Sequence, residues 1–436
     1  MLRKLMQSLR VNRPFATLAT ASGLSSLGSS VVVFALPVVY LNMTDSLASM
    51  TAIATAEALV GMIVMFVSGP IVDRFDRLRI MRISQLEETL NDLLLFLLVV
   101  FNITAVPVWM TLAIVSATFS TVSMNAEGAF IRSIVSTNRM YRAMTVMQGL
   151  RYATVLLGPA IGGLILQFSV ASVPFLLGVM GEGSAFLLLC LALKPSDARF
   201  RDDEDENAND VSNSDDDSDN ILRESWKGFS LIIVDGTYRA TALFLLLVSL
   251  GSGVIFPSLT YGMTLAHAPA VIIASLSMAT GLGGLAGAML INPLVERLHL
   301  PLGRSIMLVT LVLDAAVFVA GLVNQWQGYV AMLLLMAMLS PVLVTGLQSF
   351  LSAMTPENMQ GRIFGALNVS ISLASVVTPA MASGLLARTG VIGAMMTSAA
   401  FILLALVSLA SSRSLRRIPA ADHWDEYLTQ LHTNEE

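Results

Sequence analysis

The sequence predicts an all-α polytopic membrane protein: twelve transmembrane helices in two six-helix bundles related as parallel repeats. Three observations predict it. Hydrophobic residues make up 55% of the 436-residue chain and charged residues only 13%, about half the charged share of an ordinary soluble domain, and mean hydropathy is +0.74. Apolar runs of the roughly 18–20 residues needed to cross a bilayer as helix recur along the chain. A set of landmarks in the first half returns in the second at a nearly constant offset.

Taken in order, the apolar runs place helices at about 14–41, 47–72, 80–101, 106–131, 141–168 and 171–193, then at about 240–264, 269–295, 304–323, 327–352, 360–387 and 391–411. Most connections are short, as antiparallel neighbours require. The basic N-terminal stretch "MLRKLMQSLRVNR" precedes a first apolar run too long for a signal-peptide core, so no cleaved leader is expected. Cys190 stands in an apolar run without a disulfide or metal partner and reads as a small core residue.

Orientation follows from Lys and Arg. Arg3, Lys4, Arg10 and Arg13 precede helix one, Arg74, Arg77, Arg79 and Arg82 lie around the second connection, Arg132, Arg139 and Arg142 at the fourth, and Arg413, Arg416 and Arg417 follow helix twelve. Outside these even-numbered connections and termini only Arg388 stands on the opposite side, while Arg151 falls within helix five. Both termini are therefore expected in the cytoplasm.

The resulting organisation is a first bundle at 1–193, a linker at 194–239, a second bundle at 240–412 and a cytoplasmic tail at 413–436. The middle of the linker, "RDDEDENANDVSNSDDDSDN", holds ten acids. Such a block repels itself and buries no apolar surface, so it reads as a disordered, solvated segment, with a binding tail as the alternative. In the tail, Trp424, Leu428 and Leu431 stand at helical spacing and suggest a short surface helix.

The repeat rests on three landmarks. "GPIVDRF" (69–75) matches "NPLVERL" (292–298) in character, "GPAIGG" (158–163) matches "TPAMAS" (378–383), and at the latter offset Phe130 falls on Phe350 and Arg142 on Arg362. Two halves of one topology and one orientation are parallel repeats about an axis along the membrane normal, which places a site between two similar bundles that rock against each other.

At these residues the chain resembles a known family. Gly69-x-x-x-Asp73-Arg74-x-x-Arg77-x-Arg79, between helices two and three of a six-plus-six chain, resembles the signature loop of the major facilitator superfamily. "LLGPAIGG" in helix five, with Gly158, Pro159, Gly162 and Gly163, resembles the Gly-Pro motif of drug:proton antiporters, with Thr145 and Thr154 where glycines precede it. "SSLGSSVVVFALPVVYLNMTDSLAS" followed by "DRFDR" resembles the bacterial macrolide-efflux branch, which also contains siderophore exporters. The departures are Asp76, where the general motif has Gly, and the degenerate second copy around Glu296 and Arg297.

The resemblance implies proton-driven efflux of amphipathic compounds across a bacterial plasma membrane, with helices one, four, seven and ten lining the cavity and three, six, nine and twelve peripheral. It also implies a conformational latch. Helix eleven begins near "TPENMQGR", where Thr355, Pro356 and Glu357 suit a helix start whose free N–H groups attract an anion. Asp73 is expected to dock there in the outward-facing state, and Arg77 to pair with Glu127 at the inner end of helix four. Gly69, Arg74, Glu296 and Arg297 complete the latch set. The plainer reading, that these charges are topology anchors, explains Arg79 and Arg82 but not Asp73 or Gly69.

Ionisable residues inside the spans are functional candidates because charge in hydrocarbon is costly. Glu57, Asp92, Glu182 and Asp314, with Arg151, form the proton-coupling set. Arg151 is read as a counter-charge for Glu57 or as a ligand for a substrate anion, and Glu127 as a latch partner or a proton carrier. Glu87 and Glu88 read as ion-pair partners of Arg79 or Arg82. Helix one, "TLATASGLSSLGSS", supplies hydroxyls and small residues but no acid. Ser26, Asn125, Phe256, Tyr261 and Met336 are the cavity candidates, for a lining that is apolar, adaptable and rich in methionine. The small-residue patterns Gly158-x-x-x-Gly162 and "GLGGLAGA" (281–288) suit close helix approach at the moving seam.

The leading function is export of drug-like amphipathic molecules in exchange for protons. An exporter of one endogenous metabolite, such as a siderophore or peptide, is the alternative, and a non-transporting membrane scaffold a third reading. No nucleophile–base pair, phosphate loop or metal-ligand spacing points to an enzyme, a cofactor or a metal. The expected partners are the lipid bilayer, a small-molecule substrate and protons; no nucleic acid is expected, and the chain is read as a monomer.

Overall fold

The computed structural model describes residues 12–193, 236–291, 301–355, 357–416 and 418. The acidic linker, the degenerate repeat around Glu296 and Arg297, and the tail helix at Trp424 lie outside the described residues.

Helix formation begins at capped starts. Asn12 accepts a bond from the Phe15 N–H at 2.8 Å ahead of Pro14 and opens α1 (Arg13–Thr44), the arrangement that satisfies an otherwise free donor. Ser46 accepts from the Ser49 N–H at 3.3 Å and opens α2 (Leu47–Arg74). Asp76 accepts from the Arg79 N–H at 2.6 Å and opens α3 (Arg77–Val100). There follow α4 (Val106–Ile134), α5 (Thr137–Phe168), α6 (Val173–Leu191), α7 (Gly236–Leu265), α8 (Ala270–Ala286, continued by a π turn at Gly287–Ile291), α9 (Leu302–Val323), α10 (Trp326–Met354) and α11 (Glu357–Ser411). A short turn, Arg413–Arg416, closes the described chain.

Two expectations change. "GPIVDRFDRLR" is not a loop: α2 runs on to Arg74 and α3 starts at Arg77, so only Phe75 and Asp76 connect them. Asp76 explains its own departure from the glycine of the general motif, because it is the N-cap of α3. And the last two expected helices are not set apart by a loop: the 55-residue α11 spans both and leaves helical geometry at Gly390, φ 66° and ψ −169°, where two helices meet at a kink in a region open to glycine at little steric cost.

Among the described residues nine helices are long and apolar enough to cross a membrane. Of the others, α3 carries Glu87, Glu88 and Asp92 within its span, and the α-helical part of α8 is 17 residues long. Large apolar side chains such as Phe66, Leu94, Met180, Leu308 and Leu322 are exposed, as a surface solvated by lipid allows. The chain is a multi-pass membrane protein.

The chain divides into two compact units, Met1–Asn213 with Met263–Met278 and Ser214–Gly262 with Ala279–Glu436. In the first, α1 packs on α5 and α6, α2 on α4, and α3 on α4 and α6. One end of this bundle is closed by Phe15, Leu18, Val72, Leu78, Phe130, Ile134 and Leu189. They come from the starts of α1 and α3 and the ends of α2, α4 and α6, as alternating helix directions demand. Towards the other end Tyr40 and Trp109 meet edge-to-face at 4.9 Å, and the Trp109 indole N–H donates to the Ile103 carbonyl at 2.8 Å. In the second unit Phe244, Ile306, Leu313, Phe350, Leu367 and Leu409 form the core. There Gly283 and Gly287 lie against the α10 backbone; a Cβ would come within 2.4 Å of the Leu334 carbonyl and 2.3 Å of the Met338 carbonyl.

Candidate functional site

A cavity of about 340 Å³ opens inside the first unit, between α1, α3, α4, α5 and α6. Each main wall is a stripe at helical spacing. Ser22, Ser25, Ser26 and Ser29 come from α1, Met81, Ser84, Gln85 and Glu88 from α3, and Ser120, Ser123, Met124 and Glu127 from α4. All three follow i, i+3, i+4, i+7, the pattern that puts four side chains on one face of a helix. Arg151 of α5 and Glu182 of α6 complete the charged lining.

The close crossing of α1 and α6 makes this arrangement possible. A Cβ on Gly181 would lie 2.8 Å from the Leu24 carbonyl and 2.9 Å from Gly28 Cα, and one on Gly28 would lie 3.2 Å from the Gly178 carbonyl. Backbone atoms cannot retreat as a flexible side chain does, so the glycines set the helix separation. Gly178 also makes room for a carboxyl: its Cβ would stand 2.2 Å from Asp92 Oδ2. Arg82 fixes the end of α6 by donating from Nε and Nη2 to the Leu189 carbonyl at 3.1 and 3.0 Å, and from Nη2 to the Leu193 carbonyl at 2.8 Å. A cation on terminal helix carbonyls satisfies free acceptors and opposes the helix dipole.

Four carboxylates have distinct settings. Glu127 receives a hydrogen bond from the Ser22 hydroxyl and lies 3.6 Å from the Arg151 guanidinium. Glu182, 2% exposed, receives the Gln85 amide and the Ser25 hydroxyl; the same amide donates to Ser25 Oγ at 3.2 Å. Glu88 takes the Ser116 hydroxyl at 3.1 and 3.3 Å. Asp92, 5% exposed, is buried between α3 and α6. Next to it, Asn91 donates to the Leu112 carbonyl at 2.9 Å and to Glu87 at 3.4 Å.

Several expectations are corrected here. Glu127 pairs with Arg151, while Arg77 Nη1 donates to the Ala129 carbonyl at 3.5 Å. Arg151 is likewise not the counter-charge of Glu57, which is exposed on α2 and does not line this cavity. Glu88 bonds to Ser116 of α4, and Glu87 to Asn91 one turn along α3 itself, instead of to Arg79 or Arg82. Helix six is not peripheral to this cavity, since Glu182 faces into it. Cys190 is exposed, not a core residue.

Of the cavity candidates, Ser26 lines the space. Asn125 instead donates to Ser68 Oγ at 2.6 Å and ties α4 to α2. In the second unit Met336 packs against the hydrophobic core, Tyr261 is buried and Phe256 is exposed. Asp314 on α9 has a buried Oδ1 without a hydrogen-bond partner among the described residues. Gly69 lies in the last turns of α2, with open space around its missing Cβ among the described atoms, and Arg74 is exposed at that helix end. The Asp73 side chain, and Glu296 and Arg297 altogether, lie outside the described residues. The helix-five motif closes on α1: a Cβ on Gly158 would fall 2.4 Å from Ser30 Cβ, and one on Gly162 2.9 Å from Phe34. Gly163 meets Ala274 of α8 in the same way, and Pro159 is buried inside α5.

Sequence reasoning missed Gln85 and Ser116, read Glu88 only as an ion-pair partner, and noted Ser22, Ser25 and Ser29 only as hydroxyls of helix one. The signal existed, since the three stripes share one spacing, but Ser at helical spacing in a span is also what plain packing produces.

Comparison with known proteins agrees with this architecture. The family model described as Major Facilitator Superfamily matches residues 18–300. No curated protein sequence matches the chain. Among solved structures, the POT family transporter PepTSo aligns with TM-score 0.65 at 12% identity, covering 96% of this chain and 98% of that one. The nucleoside transporter NupG aligns with TM-score 0.66 at 11% identity over 93% and 99%. The human organic anion transporter MFSD10 (TETRAN) aligns with TM-score 0.60 at 14% identity over 92% and 99%. At these identities the likeness is one of fold.

Proposed function

The chain belongs to the major facilitator superfamily, and from that premise we propose that it is a secondary transporter that exports small amphipathic molecules in exchange for protons. Export of a single endogenous metabolite is the alternative within the same fold. The proposal places the protein in a bacterial plasma membrane with both termini cytoplasmic, in keeping with the distribution of Lys and Arg, and treats it as a monomer.

The observation that carries the reading is the setting of Glu182. It is a buried carboxyl at the wall of a cavity, held by the neutral groups of Gln85 and Ser25. A group that binds either a proton or a cation at a ligand cavity can link the two fluxes, because each state is favoured only when one of them is bound. Glu88 on the facing wall is the second carrier. Asp73, Arg74 and Arg77 at the α2–α3 junction act as the conformational latch in this scheme.

Everted vesicles loaded with a proton gradient provide the test. Adding a transported compound is expected to dissipate part of the gradient, and Glu182→Gln is expected to remove that response. Substrate flux without proton movement would end the antiport reading. A susceptibility screen in an efflux-deficient host separates broad drug export from export of one metabolite.

A further inference from the structure

The cavity of the first unit is more specific in its chemistry than a general drug pocket. Seven of its sixteen described lining residues are serines, so most of this wall offers hydrogen-bond partners rather than apolar contact. No aromatic side chain is among them, and Met81, Met124 and Leu189 are the larger apolar ones. Pockets for lipophilic ligands are instead lined mainly by hydrophobic and aromatic groups. At about 340 Å³ the space lies at the small end of the ~300–1,000 Å³ spanned by ligand pockets.

The charge of the lining narrows the class further. Glu88 faces in from α3, Glu127 from α4, Arg151 from α5 and Glu182 from α6, while α1 contributes hydroxyls and no charge. Arg151 is taken up by Glu127. That leaves Glu88 and Glu182 with hydroxyl and amide partners and, among the described residues, no cation. Carboxylates withdrawn from water are stable when paired or protonated, so each of the two calls for a proton or a cationic ligand. An anionic substrate would meet three carboxylates and a single guanidinium already engaged.

We propose that this cavity takes a small hydrophilic organic cation, an aliphatic amine with one or more ammonium groups, with Glu182 and Glu88 as its counter-charges. The inference rests on the transporter reading above but replaces its amphipathic substrate with a hydrophilic cation at this cavity. Ammonium donors then point at carboxylates and the remaining N–H groups at serine hydroxyls, the pairing that charge-assisted hydrogen bonds favour. Gln85 holds Glu182 and Ser25 together and is a positioning residue.

The test uses the purified full-length protein with four probes: putrescine, its neutral N,N′-diacetyl derivative, the lipophilic cation tetraphenylphosphonium, and citrate. Putrescine is expected to raise the unfolding midpoint in a concentration-dependent way, and the diacetyl derivative and citrate to leave it unchanged. Glu182→Gln and Glu88→Gln are each expected to weaken putrescine binding about tenfold, while Glu182→Asp retains most of it. Equal binding of the diacetyl derivative, or unaltered putrescine affinity in both Gln variants, overturns the proposal. The probe series on the unmodified chain decides the matter even where Glu182→Gln does not fold.

Counterflow in proteoliposomes separates this inference from the exporter reading. Tetraphenylphosphonium carried while putrescine is neither bound nor carried overturns the inference and leaves export standing. Putrescine bound while neither it nor tetraphenylphosphonium is carried supports the site and counts against the transporter reading.

Discussion

Arg151 Nη2 lies 3.6 Å from Glu127 Oε2, and this ion pair ties α5 to α4 at the rim of a serine-lined cavity. The Arg151 side chain is 50% exposed and that of Glu127 16%, so solvent screening holds the direct attraction to about 0–1 kcal/mol. Its larger effect is on the net charge of the cavity. Arg151→Gln is expected to leave Glu127 uncompensated and to reduce flux severalfold. The double variant with Glu127→Gln should recover part of the loss, with a coupling of about 0.5–1 kcal/mol. Flux of the two single variants and the double variant checks this, and strict additivity would refute it.

Arg82 caps the end of α6 through three hydrogen bonds to backbone carbonyls. Arg82→Ala is expected to destabilise the first unit by about 2 kcal/mol, the range for hydrogen bonds from a charged donor. Arg82→Lys, lacking the planar fork, should restore only part. Thermal unfolding in detergent measures both.

Gly181 and Gly183 offer a matched pair on α6. A Cβ on Gly181 meets the α1 backbone at 2.8 and 2.9 Å, whereas one on Gly183 meets only Thr89 Cγ2 at 3.5 Å, an ordinary contact. Gly181→Ala is expected to push α1 from α6, cost about 1–3 kcal/mol and distort the cavity. Gly183→Ala is expected to be nearly neutral. Equal unfolding midpoints would show that the crossing relaxes freely.

Gln85 donates to both Glu182 and Ser25. Gln85→Leu keeps the bulk but removes the amide, leaving Glu182 one donor short in a buried site, a loss of about 1–3 kcal/mol. Substrate affinity is expected to fall while the apparent proton dependence of flux shifts; a purely structural role would lower stability without moving the pH profile.

The latch assigned to the α2–α3 junction makes its own prediction. Asp73→Asn is expected to slow transport with little loss of substrate binding, because a conformational equilibrium shifts while the cavity is intact. Binding measured by equilibrium titration beside flux decides it, and unchanged transport counts against the latch.

Much of this was legible in the residues. Apolar run lengths announced the spans, and "GPIVDRFDRLR" marked the junction that α2 and α3 share. That only two residues break the helices there was not visible, since charge density resembles a loop until Asp76 is seen to cap α3 at once. Glu182 was recognisable as an intramembrane carboxyl, but its partners Gln85 and Ser25 lie far from it in the chain.

The sequence by itself determined the class of protein, the approximate spans and the residues whose burial would be costly, because these depend on composition and local periodicity. Tertiary structure decided which polar stripes face one another. A helix rotated by one residue turns its stripe by about 100°, and that rotation is set by contacts such as Gly28 against Gly181. Arg151 therefore meets Glu127 instead of Glu57, and Glu182 faces a cavity instead of lipid, through packing between segments that no local pattern relates.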